Sequence, residues 1–297
     1  MQRRIGLLVN PTAGKNAGAR VGTVVADLLE AGGAEVVDLT GLDAVRAQAK
    51  ARRAVSEGAI DALVVAGGDG AVHLGVNICA QTDVPLGIVA VGTGNDNARE
   101  VGLPVKDVET AVERILHGQP RPFDLGRVRS ADGTQERWFL GVLCGGFDAV
   151  VNERANQMRW PRGPARYNIA IARELPVFAP IPYTLTLDGE EVEARAMLTC
   201  VGNGRAYGGG MKVTPDADMT DGLLDVLVVD EIGIPEFLRV FPKVFKGAHT
   251  SHPRVSVRRA RTVRLDAAGI VAYADGERLF PLPLDVEVVP GAVQILL

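Results

Sequence analysis

Three short apolar runs, at residues 5–9, 62–66 and 86–91, each end in a glycine-rich loop, and this repeated pattern constrains the chain more than any other feature. The loops are Asn10-Pro11-Thr12-Ala13-Gly14-Lys15, Gly67-Gly68-Asp69-Gly70 and Gly92-Thr93-Gly94-Asn95-Asp96. Short β-branched runs of this kind read as buried strands of a parallel sheet. Loops at the carboxyl ends of such strands converge on one crevice, where glycine lets backbone N–H groups approach phosphate oxygens without a Cβ in the way. The pattern therefore predicts a nucleotide site. It is neither of two familiar forms. Val9 stands where a P-loop needs its first glycine, and Asn16 follows Lys15 in place of Ser or Thr. Counted from Gly68 and from Gly92, the sixth positions are His73 and Asn97, so the dinucleotide fingerprint fails at both.

The order of elements supports a layered α/β domain. Helices are expected at 17–31, 44–57 and 72–81, a further strand at 34–39, and Gly32-Gly33 and Gly58 stop the first two helices. After residue 126 the texture changes to short strands at 138–142, 183–187, 192–201, 223–229, 255–257, 262–265 and 270–274, as in a β-sandwich. At 297 residues the chain has room for two domains, divided here into 1–126 and 127–297. Helical patterns interrupt the second part at 164–178 and 235–248. In the latter Phe237, Leu238, Phe241, Val244, Phe245 and Ala248 share one side, with Arg239, Lys243 and Lys246 on another. Such a segment either packs its aromatic stripe on the sheet or faces a membrane surface. From 235 to 265 the basic residues Arg239, Lys243, Lys246, Arg254, Arg258, Arg259, Arg261 and Arg264 face a single acid, Glu236.

Composition excludes other classes. A net charge of -4 argues against a general nucleic-acid binder. Cys79, Cys144 and Cys200 sit apart in apolar surroundings and read as reduced, buried thiols of a cytoplasmic protein. His249 and His252 form an HxxH without further ligands, expected as a surface pair rather than a metal site. Met1-Gln2-Arg3-Arg4 leads straight into the first strand, so no signal peptide is expected, and no run approaches membrane-spanning length.

The set NPTAGK, GGDG, PLGIVAVGTGND, DLGRV and NGRAYGGGMKVTPDADMTDGLLDV resembles the bacterial diacylglycerol kinases and sphingosine kinase-like lipid kinases, which share GGDG with NAD kinases. The resemblance runs from about Arg4 past Asp275. It implies a three-layer, Rossmann-like nucleotide domain, a C-terminal β-sandwich and an active site in the cleft between them. It also implies ATP and Mg²⁺ as cofactors and a diacylglycerol-like lipid at the membrane surface as partner, from the cytoplasmic side, and it admits a homodimer. The chain departs from the family where GGDG usually continues Thr-hydrophobic-Asn-Glu; here Ala71-Val72-His73-Leu74 follows.

Phosphoryl transfer calls for positioning and charge neutralisation. Backbone N–H groups of Asn10 to Gly14 and of Gly67, Gly68, Asp69, Gly70, Ala71, Val72 and His73 are expected to cradle phosphates, with Lys15 as a point charge. Asp69 would repel phosphate directly and is expected to hold Mg²⁺ or its water. The resemblance adds Thr40 and Thr93 to the ATP site, and Asp96 and Asp124 as acids on the Mg²⁺ side; Asp96 reads equally as a helix cap. In the region Pro215 to Asp225, which holds Asp216, Asp218, Asp221 and Asp225, the family's structural Mg²⁺ would take Asp221 and the carbonyls of Asp218 and Leu223; a solvated acidic loop is the other reading. The acceptor hydroxyl needs a base. Asp275-Gly276-Glu277 matches the family's catalytic tripeptide, with Glu277 ranked first and Asp275 beside it. The same tripeptide at Asp188-Gly189-Glu190 reads as a hairpin turn, and only the order of motifs separates the two. The expectation is an ATP-dependent lipid kinase, the alternatives being a NAD kinase-like enzyme or a non-catalytic nucleotide- or lipid-binding protein.

Overall fold

The computed structural model describes residues 2–9, 17–41, 43–158, 160 and 164–297. Asn10, Pro11, Thr12, Ala13, Gly14 and Lys15, the whole first glycine loop, lie outside the described residues. The chain divides into two compact units. The first comprises Met1–Leu125, Met219–Asp221 and Val289–Leu297, and the second Gly126–Asp218 and Gly222–Val288. The linear division at 126/127 therefore lacks two returns of the chain to the first unit.

The first unit contains β1 (Arg4–Val9), α1 (Ala17–Ala31), β2 (Glu35–Asp38), α2 (Ala44–Ser56), β3 (Ala62–Gly67), α3 (Asp69–Cys79), β4 (Leu86–Ala90), α4 (Asp96–Glu100), α5 (Val108–His117) and the start of β5 (Pro120–Ser130). Its strands run parallel in the order β4-β3-β1-β2. Alternation along β1 sends Ile5, Leu7 and Val9 into one core with Val25 and Leu29 of α1 and Val112 and Ile115 of α5. α2 and α3 pack together and against β1 and β3, so helices cover both faces of the sheet. The last strand of the chain joins at Ile295, opposite Leu86. α3 begins at Asp69, three residues earlier than its apolar pattern predicts, because Gly68 O accepts the N–H groups of Ala71 (2.9 Å) and Val72 (3.2 Å).

The second unit is an antiparallel sandwich. It contains β6 (Glu136–Phe139), β7 (Val142–Cys144), α6 (Phe147–Gln157), α7 (Pro164–Glu174), β8 (Ile181–Leu187), β9 (Glu190–Gly202), β10 (Leu224–Asp230), α8 (Ile234–Val240), β11 (Val255–Ala260), β12 (Thr262–Asp266), β13 (Val271–Ala274), β14 (Glu277–Pro281) and most of β15 (Leu284–Leu296). One core, around Phe139, Leu185, Leu265 and Phe280, fills the space between the strands. A second lies under the helices, around Phe147, Ala170, Phe237 and Tyr273. All three cysteines are buried and free.

Two expectations are corrected here. His249 is buried at 3% exposure and its Nε2 lies 3.0 Å from the Val213 carbonyl, so the HxxH is not a surface pair. The helix expected over 235–248 is α8 followed by a 3-10 segment, Phe241–Lys246. Pro242 has no N–H to continue an α-helical ladder. Its apolar side also splits: Phe237, Val240 and Val244 are buried, whereas Leu238, Phe241 and Phe245 are exposed.

Candidate active site

In the first unit the second and third glycine loops interlock. Gly67 pairs with Ala90 at the ends of β3 and β4, and the Val91 N–H donates to Gly67 O at 2.9 Å. The two loops then approach so closely that a Cβ on Gly92 would collide with the Gly68 Cα. Asn95 takes a left-handed conformation, φ 61°, which a short amide side chain tolerates. Its Oδ1 accepts the Gly92 N–H at 2.9 Å and its Nδ2 donates to Gly92 O at 2.8 Å. Asp69 ties the loops from the other side, accepting the N–H groups of Asn95 (2.7 Å) and Asn97 (3.4 Å). The N–H groups of Ala71 and Val72 are bonded back to Gly68 O and so are committed within the first turn of α3; His73 lies further inside α3, its ring 3.2 Å from the Asn77 Nδ2. Thr93 is exposed, and Thr40 Oγ1 accepts the Val9 N–H at 3.3 Å.

The acids expected on the metal side are placed as follows. The space that a Cβ on Gly94 would fill is bounded by Asp69 Oδ2 and Asp96 Oδ2, so these two carboxylates meet around one glycine. Asp96 is buried at the start of α4, 3.2 Å from Arg99. Asp124, also buried, accepts the Gly291 N–H at 2.8 Å, and its own N–H donates to Met219 O at 2.7 Å. That bond draws Met219–Asp221 to the first unit. Asp221 is exposed and precedes Gly222 at φ 72°. One carboxylate with main-chain carbonyls of Asp218 and Leu223 is an all-oxygen donor set, the chemistry a hard cation takes.

In the second unit Asp275 and Glu277 flank the β13–β14 turn and have opposite surroundings. Asp275 is buried at 7% exposure, and its carboxylate accepts the N–H groups of Leu140 (3.0 Å) and Gly141 (2.9 Å). The same two peptides are gripped from behind. Asn203 Nδ2 donates to Leu140 O at 2.6 Å, and the N–H groups of Asn203 and Gly204 donate to Gly141 O. Glu277 is exposed, and its carboxylate has no hydrogen-bond or ion-pair partner among the described residues. Behind the hairpin, Tyr273 donates to Glu153 Oε2 at 2.8 Å and Arg278 Nε to the same oxygen at 3.0 Å. Arg278 first, then Tyr273, hold the Glu153 carboxyl below its usual range.

Sequence reasoning missed Asn95 as the pin of the third loop and the Leu140–Gly141 clamp. A glycine three residues before an Asn was a usable signal for the first. Nothing local marks two backbone amides 135 and 134 residues from their acceptor.

Comparison with known proteins fixes the class. Residues 4–128 match the family described as diacylglycerol kinase catalytic domain, and residues 141–297 match the YegS C-terminal NAD kinase beta sandwich-like domain. A diacylglycerol kinase of Mycobacterium tuberculosis is 43% identical over 294 residues, covering 99% of this chain and 94% of the relative. One from Bacillus subtilis is 27% identical over 272 residues, covering 90% and 86%. A crystal structure of a diacylglycerol kinase from Bacillus anthracis superimposes with a TM-score of 0.73 at 23% identity, covering 99% and 96%. Yeast NADH kinase complexed with NADH gives 0.52 at 11%, covering 99% and 82%. The last two establish the fold, a Rossmann-like unit with a β-sandwich. The matched families and the Mycobacterium tuberculosis relative define an ATP-dependent phosphotransferase of the lipid kinase class. Within that class the chain belongs to the diacylglycerol kinase family.

Proposed function

We propose that the chain transfers the γ-phosphoryl group of ATP to the free hydroxyl of a diacylglycerol, giving a phosphatidate. The observation that carries this reading is the accessible, unpartnered Glu277 carboxylate on a hairpin whose turn is fixed through Asp275. A general base must reach its proton and be held in place. Glu277 takes the hydroxyl proton as that oxygen bonds to phosphorus and the bond to the β-phosphate oxygen breaks. Asp275 is a positioning residue: both its oxygens are committed to backbone amides, so it sets where Glu277 stands.

On the nucleotide side, the amides at Gly68, Asp69 and Gly70 receive phosphate oxygens, with Thr40, Thr93 and the loop Asn10 to Lys15 completing the ATP site. Asp69 holds the 92–97 loop in shape through Asn95 and Asn97. Asp69 and Asp96 bring two carboxylates to the space beside Gly94, so together they suit Mg²⁺ or its water, and Asp124 belongs with the turn that carries Asp221. Mg²⁺ there would neutralise phosphate charge, and a second Mg²⁺ on Asp221 and the carbonyls of Asp218 and Leu223 would stiffen the turn. The lipid is taken at the cytoplasmic face of the membrane.

Incubation of the purified chain with radiolabelled ATP, Mg²⁺ and a lipid panel tests the reading, with labelled phosphatidate expected. Label on NAD and on no lipid would replace it with the NAD kinase alternative. ATP binding without any transfer would make the chain non-catalytic.

A further inference from the structure

The eight basic residues between 235 and 265 fall into two sets. On β11 and β12, Arg258 is paired with Glu190 (2.7 Å), Arg259 with Asp225 (3.7 Å) and Arg264 with Asp285 (2.9 Å). Arg239, Lys243, Lys246, Arg254 and Arg261 are exposed and have no ion pair among the described residues. The only acid of that stretch, Glu236, lies 3.1 Å from His252 Nε2.

Three of the unpaired cations sit on α8 and the 3-10 segment after it, beside an exposed apolar stripe. Leu238, Phe241 and Phe245 are 54%, 38% and 49% exposed, while Phe237, Val240 and Val244 anchor the segment in the core. The segment is also tied down: the Lys212 N–H donates to Val244 O at 3.0 Å, and just beyond it the His249 Nε2 lies 3.0 Å from the Val213 carbonyl. A surface so fixed needs little ordering on binding. Its chemistry is apolar at the centre and cationic at the flank, with no acid left to satisfy the cations. The matching partner is apolar beneath and anionic above, which is the interface of a bilayer containing acidic phospholipid.

We propose that residues 238–246 dock the second unit on an anionic phospholipid bilayer, with Leu238, Phe241 and Phe245 at the acyl boundary and Arg239, Lys243 and Lys246 among the lipid phosphates. The proposal draws its purpose from the lipid kinase reading, and the binding itself is separable from it.

The test is sedimentation of the full chain, without ATP, with vesicles of phosphatidylglycerol and phosphatidylcholine or of phosphatidylcholine alone. Binding to the anionic vesicles, weakened by salt, is expected. Joint Lys243→Gln and Lys246→Gln should weaken it about 25-fold, at about fivefold per charge, and joint Phe241→Ser and Phe245→Ser should weaken it as well. Arg264→Gln, which removes an already neutralised charge, should leave it nearly intact. Equal binding by the lysine variant and wild type overturns the proposal. So does an Arg264→Gln loss as large as the lysine loss, which would mean bulk charge alone. Self-association through Phe241 and Phe245 without vesicle binding also overturns it, making the patch an interface with a second copy of this chain. Phosphorylation of a short-chain diacylglycerol dissolved as monomer reads the kinase activity apart from docking. A chain that phosphorylates it but ignores vesicles loses the docking surface only; one that binds vesicles but phosphorylates no lipid loses the kinase reading only.

Discussion

Asp188-Gly189-Glu190 and Asp275-Gly276-Glu277 share one backbone. φ is 49° and 89° at the Asp and Gly of the first, 52° and 84° at those of the second. Leu187 pairs with Glu190 and Ala274 with Glu277, so each tripeptide closes a two-residue hairpin. Positive φ at both central residues is the type I′ turn that Asp-Gly favours. The aspartates even do the same work, since Asp188 accepts the N–H groups of Arg261 (2.9 Å) and Thr262 (2.8 Å). The difference is in what surrounds the turn. Asp188 is exposed and Asp275 buried; Glu190 is held by Arg258, and Glu277 is held by nothing among the described residues. The tripeptide encodes a turn, and a role in chemistry depends on which glutamate is left to react.

The sharpest way to break this comparison is Glu277→Gln, which keeps size and hydrogen bonding and removes basicity. Lipid phosphorylation should fall by about 10²–10⁴-fold with unchanged ATP affinity and melting temperature; wild-type turnover would move the role to Asp275. Asp275→Asn comes next. An amide NH₂ would face a backbone N–H, leaving a buried donor unsatisfied at about 1–3 kcal/mol. The hairpin would shift with it, lowering turnover by up to about 10²-fold. Denaturant unfolding alongside the assay should show both losses together. Asp188→Asn, on the exposed copy, should cost less than about 1 kcal/mol and leave turnover alone.

The exposed copy also has a pH signature. The Thr262 N–H first, then that of Arg261, hold the Asp188 carboxyl below its ordinary 3.8. The folded state thus binds its proton less readily than the unfolded chain does. The clamp's contribution is complete above about pH 4 and fades as pH falls through the folded value. Stability curves of wild type and Asp188→Asn should converge there, and a gap of constant size would remove the charge from the explanation. Smallest of all is Glu190→Gln, which breaks an exposed pair with Arg258 and should change turnover not at all and stability by a few tenths of a kcal/mol. A crippled Glu190→Gln would reverse the assignment of the two copies.

Local chemistry made much of this legible. The strands before the glycine loops and the first helices stand where their periodicity puts them, as β1, β3, β4, α1 and α2. Other elements carried no such signal. β15 contains Pro290-Gly291, which reads as a loop until Asp124 is seen to bind the Gly291 N–H across 167 residues. α6 starts at Phe147 behind Gly146, an N-cap position with no side chain to cap it. Of the candidate site, the residue types were visible in the motifs, but the choice between two identical tripeptides rested on order alone. What separates them, burial at Asp275 and a free neighbour at Glu277, arises from contacts far apart in the chain.

The division of the first unit bears on how the chain is made. Val289–Leu297 belongs to that unit, where Ile295 pairs with Leu86, Ala292 O accepts the Gln81 N–H at 2.7 Å, and Leu296 is fully buried in the core with Ile5 and Val64. Synthesis proceeds from the N-terminus, so the early strands of the first unit are made while one flank of β4 waits for a partner that lies in residues 289–297. The sandwich, contained between residues 126 and 288, has all its own strands before then. The part of the chain translated first is therefore the part whose sheet is completed last.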